Sequence, residues 1–199
     1  MIPEELLKKY NGKIEQYDSG DFVYEENTVC QNYFQIISGK IKLNNYSEDG
    51  KEFIQNIFEA PQCFGEVLLF VNERYPSNAI TLTDTVIIKL SVQKFFKLLN
   101  DHPEYAVEIN KNLSKRLYYK MIMSQHLFSK DPNIRLTVLM DYFKNSNHIK
   151  ENSEDGYLIP LTRQQMANLT GLRVETVIRT IKLMEKNNLL KIKKRQIYY

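Results

Sequence analysis

Between Gly20 and about Val92, apolar and polar residues alternate in short runs, the period of half-buried strands. The clearest are Phe34-Gln35-Ile36-Ile37, Ile41-Lys42-Leu43, Phe53-Ile54-Gln55-Asn56-Ile57-Phe58 and Thr85-Val86-Ile87-Ile88-Lys89-Leu90. Turn residues at Ser38-Gly39, Glu48-Asp49-Gly50 and Phe64-Gly65 separate them, and Asp49-Gly50 predicts a hairpin because glycine accepts the positive φ of a tight turn. Many short strands with no helical period between them predict a β-barrel or sandwich. From Pro103 to Phe128 the period changes, and Ala106, Ile109, Leu113, Leu117, Met121 and Leu127 recur at mostly helical spacing behind a proline suited to a helix start. A helix of about 25 residues is close to 38 Å long, more than one small barrel covers. Its apolar stripe therefore predicts a partner, most simply the same helix of a second copy, the alternative being a helix folded back on its own barrel. Asp131-Pro132-Asn133 ends it, Ile134 to Phe143 is a further amphipathic stretch, and the polar segment Lys144–Gly156 reads as a surface loop.

The last 40 residues are the most informative. Thr162-Arg163-Gln164-Gln165 has the form of a capping box, which starts a helix. Met166 and Leu169 give that helix an inner face, Gly171 supplies a residue free to turn, and Leu172 sits at the corner. A second helix is predicted from about Arg173 to Lys186, with Val177, Ile181 and Met184 on one face and Glu175, Ile178, Arg179, Lys182 and Lys186 on the other. Leu189–Ile192 and Gln196–Tyr199 then read as two strands around Lys193-Lys194-Arg195, a wing with cations at its tip. Capped helix, glycine turn, basic second helix and basic wing, in that order, predict a winged helix-turn-helix that binds DNA.

Charge supports this reading. The net charge of +3 is unevenly spread: residues 1–129 carry 14 basic and 17 acidic groups, residues 130–199 carry 13 and 7. In the last 40 residues 9 basic groups face only Glu175 and Glu185, a density that attracts phosphate by counterion release. Arginine can donate a bidentate pair to guanine and a carboxylate can accept from cytosine N4, so Glu175 and Arg179, one helical turn apart, suit base reading; an ordinary i, i+4 surface ion pair is the competing interpretation. Composition excludes other classes. With 43% hydrophobic and 26% charged residues the chain is neither disordered nor low-complexity. It has no apolar run of bilayer length and a polar N-terminus, which predicts a cytoplasmic protein that engages no membrane. Cys30 and Cys63, with three scattered histidines, give no zinc or iron–sulfur spacing, so no cofactor and no metal are expected and both thiols are expected to be inert. A cupin-type enzyme is excluded because residues 20–92 contain no histidine, and no catalytic residue is assigned.

The run LTRQQMANLTGLRVETVIRTIKLMEKNNLL, residues 161–190, resembles the winged helix of cAMP-receptor-protein/FNR-type (Crp/Fnr) bacterial transcription regulators. FGEVLLF at 64–70 is similar to the family's phosphate-binding cassette, and residues 103–128 to its dimerisation helix. The resemblance implies an α+β protein: a double-stranded β-helix (jelly-roll) sensor barrel over residues 1–100, a dimerisation helix over 101–130 and a winged helix-turn-helix over 131–199. It implies a homodimer on a palindromic double-stranded operator, RNA polymerase as a further partner, and a small-molecule effector. Glu175 and Arg179 match the family's base-reading residues in the E-T-x-x-R pattern, and Val174 matches FNR-type members, implying a TTGA-like half-site. Thr162, Arg163, Gln164 and Thr176 match phosphate-contacting positions. Arg173 replaces a common serine, losing an N-cap hydroxyl while adding a cation for phosphate; Ile178 replaces a small residue and is placed to meet a thymine methyl; Lys182 extends the basic face.

In cyclic-nucleotide members of the family the cassette supplies a glycine and glutamate, then an arginine and serine. Gly65, Glu66 and Ser77 match, but the arginine position falls on Pro76, with Arg74 the one substitute nearby. Lys120-Met121 stands in place of the Thr-Ser pair that meets the adenine. These departures argue against cAMP, because Pro76 offers neither charge nor donor to a cyclic phosphate. Glu66 is then expected to serve backbone donors in a barrel loop and Ser77 to cap a turn. Haem is disfavoured because His102, His126 and His148 lie on or beyond the helical region. The effector is left open, and the alternative function is a ligand-binding sensor whose winged helix contacts protein instead of DNA.

Overall fold

The expected strand region from Gly20 to about Val92 contains seven strands, β2 (Phe22–Tyr24), β3 (Asn32–Ser38), β4 (Lys40–Tyr46), β5 (Glu52–Glu59), β6 (Cys63–Phe64), β7 (Asn78–Thr81) and β8 (Thr85–Ser91), and an eighth, β1 (Lys13–Tyr17), precedes it. In the computed structural model, which describes residues 1–127, 129, 131–146, 152–153 and 155–199, they form two antiparallel four-stranded sheets. Their orders are β1-β8-β3-β6 and β2-β7-β4-β5, the jelly-roll arrangement. The β4–β5 hairpin turns through Ser47–Lys51 with Gly50 at φ +74°, where the sequence predicted it.

Successive strand residues face opposite ways, so β3 and β8 serve two cores. Phe34, Ile36 and Ile87 join Tyr24, Ile41, Phe58, Phe64, Tyr75 and Ala79 inside the barrel. Tyr33, Ile88 and Leu90 face a second core with Ile2, Leu7, Leu69, Phe95, Leu98, Leu99 and Ile109. That second core exists because of helices the sequence pattern did not reveal: α1 (Glu4–Lys9), α2 (Glu66–Val71) and α3 (Val92–Asp101). A buried relay fastens the N-terminal segment to it, Tyr33 Oη donating to Gln35 Oε1 and Gln35 Nε2 to the Ile2 carbonyl at 2.8 and 2.9 Å. α2 corrects the all-strand reading of this region and places Glu66 in the first turn of a helix instead of in a loop.

The long helix, α4, runs Pro103–Leu127, and Phe128, the last residue of the expected span, lies outside the described residues. The chain forms two compact units, residues 1–115 and 116–199, that divide within α4. Its predicted single stripe separates into two faces. Ala106, Ile109 and Leu113 pack on the second core of their own unit, whereas Val107, Leu117, Tyr118 and Met121 are exposed. The fold-back expectation thus holds for the first turns only.

In the second unit α5 (Pro132–Ser146) is followed by β9 (Asn152–Ser153), β10 (Gly156–Ile159), α6 (Arg163–Thr170), α7 (Val174–Lys186), β11 (Lys191–Lys193) and β12 (Gln196–Tyr198). The predicted loop over 144–156 is corrected at both ends: Lys144 and Asn145 continue α5, and β9 and β10 extend the wing to a four-stranded sheet ordered β11-β12-β10-β9. Residues 147–151 and 154, with His148 among them, lie outside the described residues. Leu136, Leu139, Met140, Met166, Val177, Ile181, Met184 and Ile197 are buried and form the core, and Tyr119 stacks on Tyr142 with ring centroids 3.5 Å apart.

Candidate nucleic-acid interface

The capping box is complete: the Gln165 backbone N–H donates to Thr162 Oγ1 at 3.1 Å and the Thr162 N–H to Gln165 Oε1 at 2.8 Å. α6 ends at Gly171 in the left-handed region (φ +67°), a conformation that costs a residue with Cβ about 1–2 kcal/mol. α7 starts at Val174 behind Arg173, an N-cap with no side-chain cap bond, as the loss of the hydroxyl predicts. Val177, Ile181 and Met184 turn inward, and Glu175, Ile178, Arg179 and Lys182 are all exposed on the outer side. Val174 and Thr176 are half-buried at its start, and Thr162 and Gln164 are exposed on α6, where Gln164 Nε2 donates to Asn168 Oδ1 at 2.8 Å. The predicted residues thus stand on the two helices, from the Thr162 N-cap of α6 to Lys182, nine residues into α7.

Arg163 is half-buried at the start of α6. Its guanidinium donates to the backbone carbonyl of Arg195 at the wing tip. The wing turns through two residues, Lys194 and Arg195, both at positive φ (+47° and +66°) and flanked by the Lys193–Gln196 pair. Asn-Gly is the usual occupant of such a turn; two long cations there are strained, and strain of this kind concentrates at functional sites. At the base, the Ile192 N–H donates to Glu185 Oε1 at 3.1 Å, tying β11 to α7. Lys191 and Lys193 both pair with Asp155, Lys191 at 3.2 Å. Hydrogen bonds from Lys193 and then Lys191 hold the Asp155 carboxyl below the usual carboxylate range.

In the barrel, Gly65 takes a left-handed φ of +75° and hands over to Glu66, which is fully buried; Ser77 is 2% exposed. Tyr24 and Tyr75 stack at 3.6 Å between centroids, directly against Gly65: a Cβ there would lie 3.3 Å from Tyr75 and 3.4 Å from Tyr24. Burial, and then the Glu66 charge, push up the Tyr24 phenol; burial, and then the Cys30 thiol, push up that of Tyr75. Arg74, the one arginine near Pro76, is exposed and donates to the Asn27 carbonyl at 2.7 Å. Cys63 is buried, Cys30 half-buried, and burial raises the Cys30 thiol above its ordinary value. Among the described residues no group of His, Cys, Asp and Glu is arranged to hold a metal ion, and none of their helices is long and apolar enough to cross a membrane.

Residues 14–102 match the family model of the cyclic nucleotide-binding domain, and residues 137–198 that of the Crp-like helix-turn-helix domain. The cAMP-activated global transcriptional regulator CRP of Haemophilus influenzae is 30% identical over 160 residues, 79% of this chain and 70% of that protein. The chain belongs to the Crp/Fnr family. It is a Crp/Fnr-type DNA-binding transcription regulator with a cyclic nucleotide-binding-like barrel. The global nitrogen regulator of Synechococcus elongatus is 24% identical, covering 93% of this chain and 84% of that one. The c-di-GMP-responsive global regulator CLP of Xanthomonas campestris shares the fold, with a TM-score of 0.76, 20% identity and 98% of each chain covered. For this Crp/Fnr regulator, sequence reasoning missed the Tyr24–Tyr75 stack, because Tyr24 lies on β2 and Tyr75 in the connection before β7, and nothing local joins residues so far apart in the chain. It also missed Asp155, which stands beside residues outside the described set and gains meaning only through β10.

Proposed function

We propose that the protein is a homodimer that reads a palindromic operator through Glu175 and Arg179 and whose barrel does not take cAMP. The observation that carries the reading is the outer side of α7, where Glu175 and Arg179 stand exposed one turn apart on a helix fixed from behind by Val177, Ile181 and Met184. Arg179 is assigned to guanine O6/N7, Glu175 to cytosine N4 and Ile178 to a thymine methyl. Thr162, Gln164, Arg173, Thr176 and Lys182 are assigned to phosphate, and Val174 to the FNR-like side of the family's half-site preference. The exposed Val107, Leu117, Tyr118 and Met121 of α4 supply the apolar face for a second copy. Such a regulator works in the cytoplasm, with RNA polymerase as its further partner.

Two observations support a barrel that does not take cAMP. Pro76 brings no charge to the place where a cyclic phosphate needs one, and the buried, stacked rings of Tyr24 and Tyr75 pack directly against Gly65 of the cassette. Gly65, Glu66 and Ser77 are then structural in this chain, and an effector, where one acts, is of another chemistry.

Selection of duplex DNA from a random library at near-physiological salt tests the reading. A palindrome with half-site centres about 34–36 Å apart is expected, enriched equally with and without cAMP. Arg179→Ala is expected to lose about 1–3 kcal/mol of discrimination at one guanine per half-site. Uniform weakening at every base would move Arg179 from reading sequence to holding phosphate, and an unchanged isotherm would favour the protein-contact alternative.

A further inference from the structure

The wing carries four consecutive or near-consecutive cations, Lys191, Lys193, Lys194 and Arg195, and the structure treats them unequally. Lys191 and Lys193 are two residues apart on β11 and so lie on one face of the sheet. Both reach the same carboxylate, that of Asp155 at the entry to β10, whose side chain is 24% exposed against 58% and 55% for the lysines. Lys194 and Arg195 occupy the turn itself, both exposed, in a left-handed conformation that glycine or asparagine would take with less strain. Arg163 holds that turn by its Arg195 carbonyl.

We propose that Asp155 is a positioning residue that keeps Lys191 and Lys193 on the sheet face, so that the wing addresses DNA phosphate through Lys194 and Arg195 alone. The proposal rests on the wing lying against DNA in the complex. Its consequence concerns specificity. Phosphate contacts add affinity without sequence information, so each extra lysine strengthens binding to every duplex alike. A carboxylate already paired with two lysines limits that gain: when either lysine turns to a phosphate, Asp155 is left as an anion beside the DNA. Asp155 thus lowers sequence-independent affinity and leaves base discrimination to α7. Arg163 acts alongside it as the splint of the tip, because its guanidinium shapes the turn through a backbone carbonyl.

The test is the salt dependence of binding by the full chain to its selected operator and to a scrambled duplex, where the log–log slope changes by about 0.9 for each phosphate that the protein neutralises. Lys194→Asn with Arg195→Gly preserves the turn and removes its charges, and is expected to make the slope shallower by about 0.9 for each phosphate no longer neutralised. Lys191→Ala with Lys193→Ala is expected to leave the slope unchanged. Asp155→Asn is expected to steepen it, tighten binding to the scrambled duplex and narrow the ratio between the two duplexes. A lysine pair that flattens the slope as much as the tip pair, or an Asp155→Asn slope equal to that of the parent, overturns the proposal. Should Asp155→Asn disturb the wing, seen as a lowered melting temperature, the lysine pair still decides. A tip variant with the parental slope removes the wing from the interface, a failure distinguishable from that of the Asp155 assignment because the lysine and aspartate variants are then silent too.

Discussion

Glu66 matches a ligand-binding glutamate and yet is buried at the head of α2 beside the Tyr24–Tyr75 stack. Removing a buried aromatic costs about 3–5 kcal/mol, so Tyr75→Ala is expected to destabilise the barrel by about 3 kcal/mol in urea denaturation. A loss below about 1 kcal/mol would mean that the ring is not part of the core. Gly65 tests the same contact from the other side: alanine meets both an unfavourable φ and two tyrosine rings within 3.5 Å, which is expected to cost more than about 1 kcal/mol. Asp155 provides a pH signature. Its carboxyl is lowered on folding by Lys193 and Lys191, so the pairing stabilises the wing above the unfolded pKa and is lost as pH falls through the folded value. In Lys193→Ala the Asp155 titration, followed by carboxyl NMR, is expected to move up towards the ordinary carboxylate range; a midpoint that stays put would show that Lys193 is not what lowers it.

At the scale of elements, what could be read in advance was whatever is encoded locally. α6 and α7 were legible because cap, turn glycine and inward face lie within 25 residues and each has its own chemical signature. Thr162→Ala is accordingly expected to cost about 1 kcal/mol in thermal stability, and an unchanged melting temperature would show that the α6 start is held by tertiary contacts instead. The β4–β5 hairpin was legible for the same reason, through Asp49-Gly50. α2 was not: after Glu66 it is one short apolar run, Val67–Val71, and periodicity does not separate a buried strand from a helical turn over so few residues. α3 follows β8 without a break, and its Ser91 N-cap makes no side-chain cap bond, although Phe95, Leu98 and Leu99 have helical spacing. α4 shows a subtler failure. A step of four residues advances about 40° around a helix, so Ile109, Leu113, Leu117 and Met121 drift through about 120° in total and pass from the core face to the exposed one. A stripe that looked single in the sequence therefore serves two surfaces.

For the whole molecule, the charge division and the second face of α4 bear on one question, how a regulator of this size finds a single site among many. The acidic excess of residues 1–129 and the basic excess of residues 130–199 leave attraction to DNA concentrated in the segment that reads it. Two or three base contacts per recognition helix, each worth about 1–3 kcal/mol, do not by themselves single out one site. In the proposed dimer, joining two readers through Val107, Leu117, Tyr118 and Met121 would make the second half-site an intramolecular encounter and raise overall affinity by about 10²–10⁴-fold without any new contact to DNA. Leu117→Lys with Met121→Lys places like charges on that face. The variant is expected to sediment as a monomer and to lose about a hundred-fold or more in affinity for the palindrome, while its affinity for an isolated half-site and the inward packing of Ile109 and Leu113 stay as they are. Sedimentation and binding to palindrome and half-site duplexes separate the possibilities. A variant that remains dimeric would place the interface elsewhere, whereas a monomer that keeps full affinity for the palindrome would show that the operator is read one half at a time.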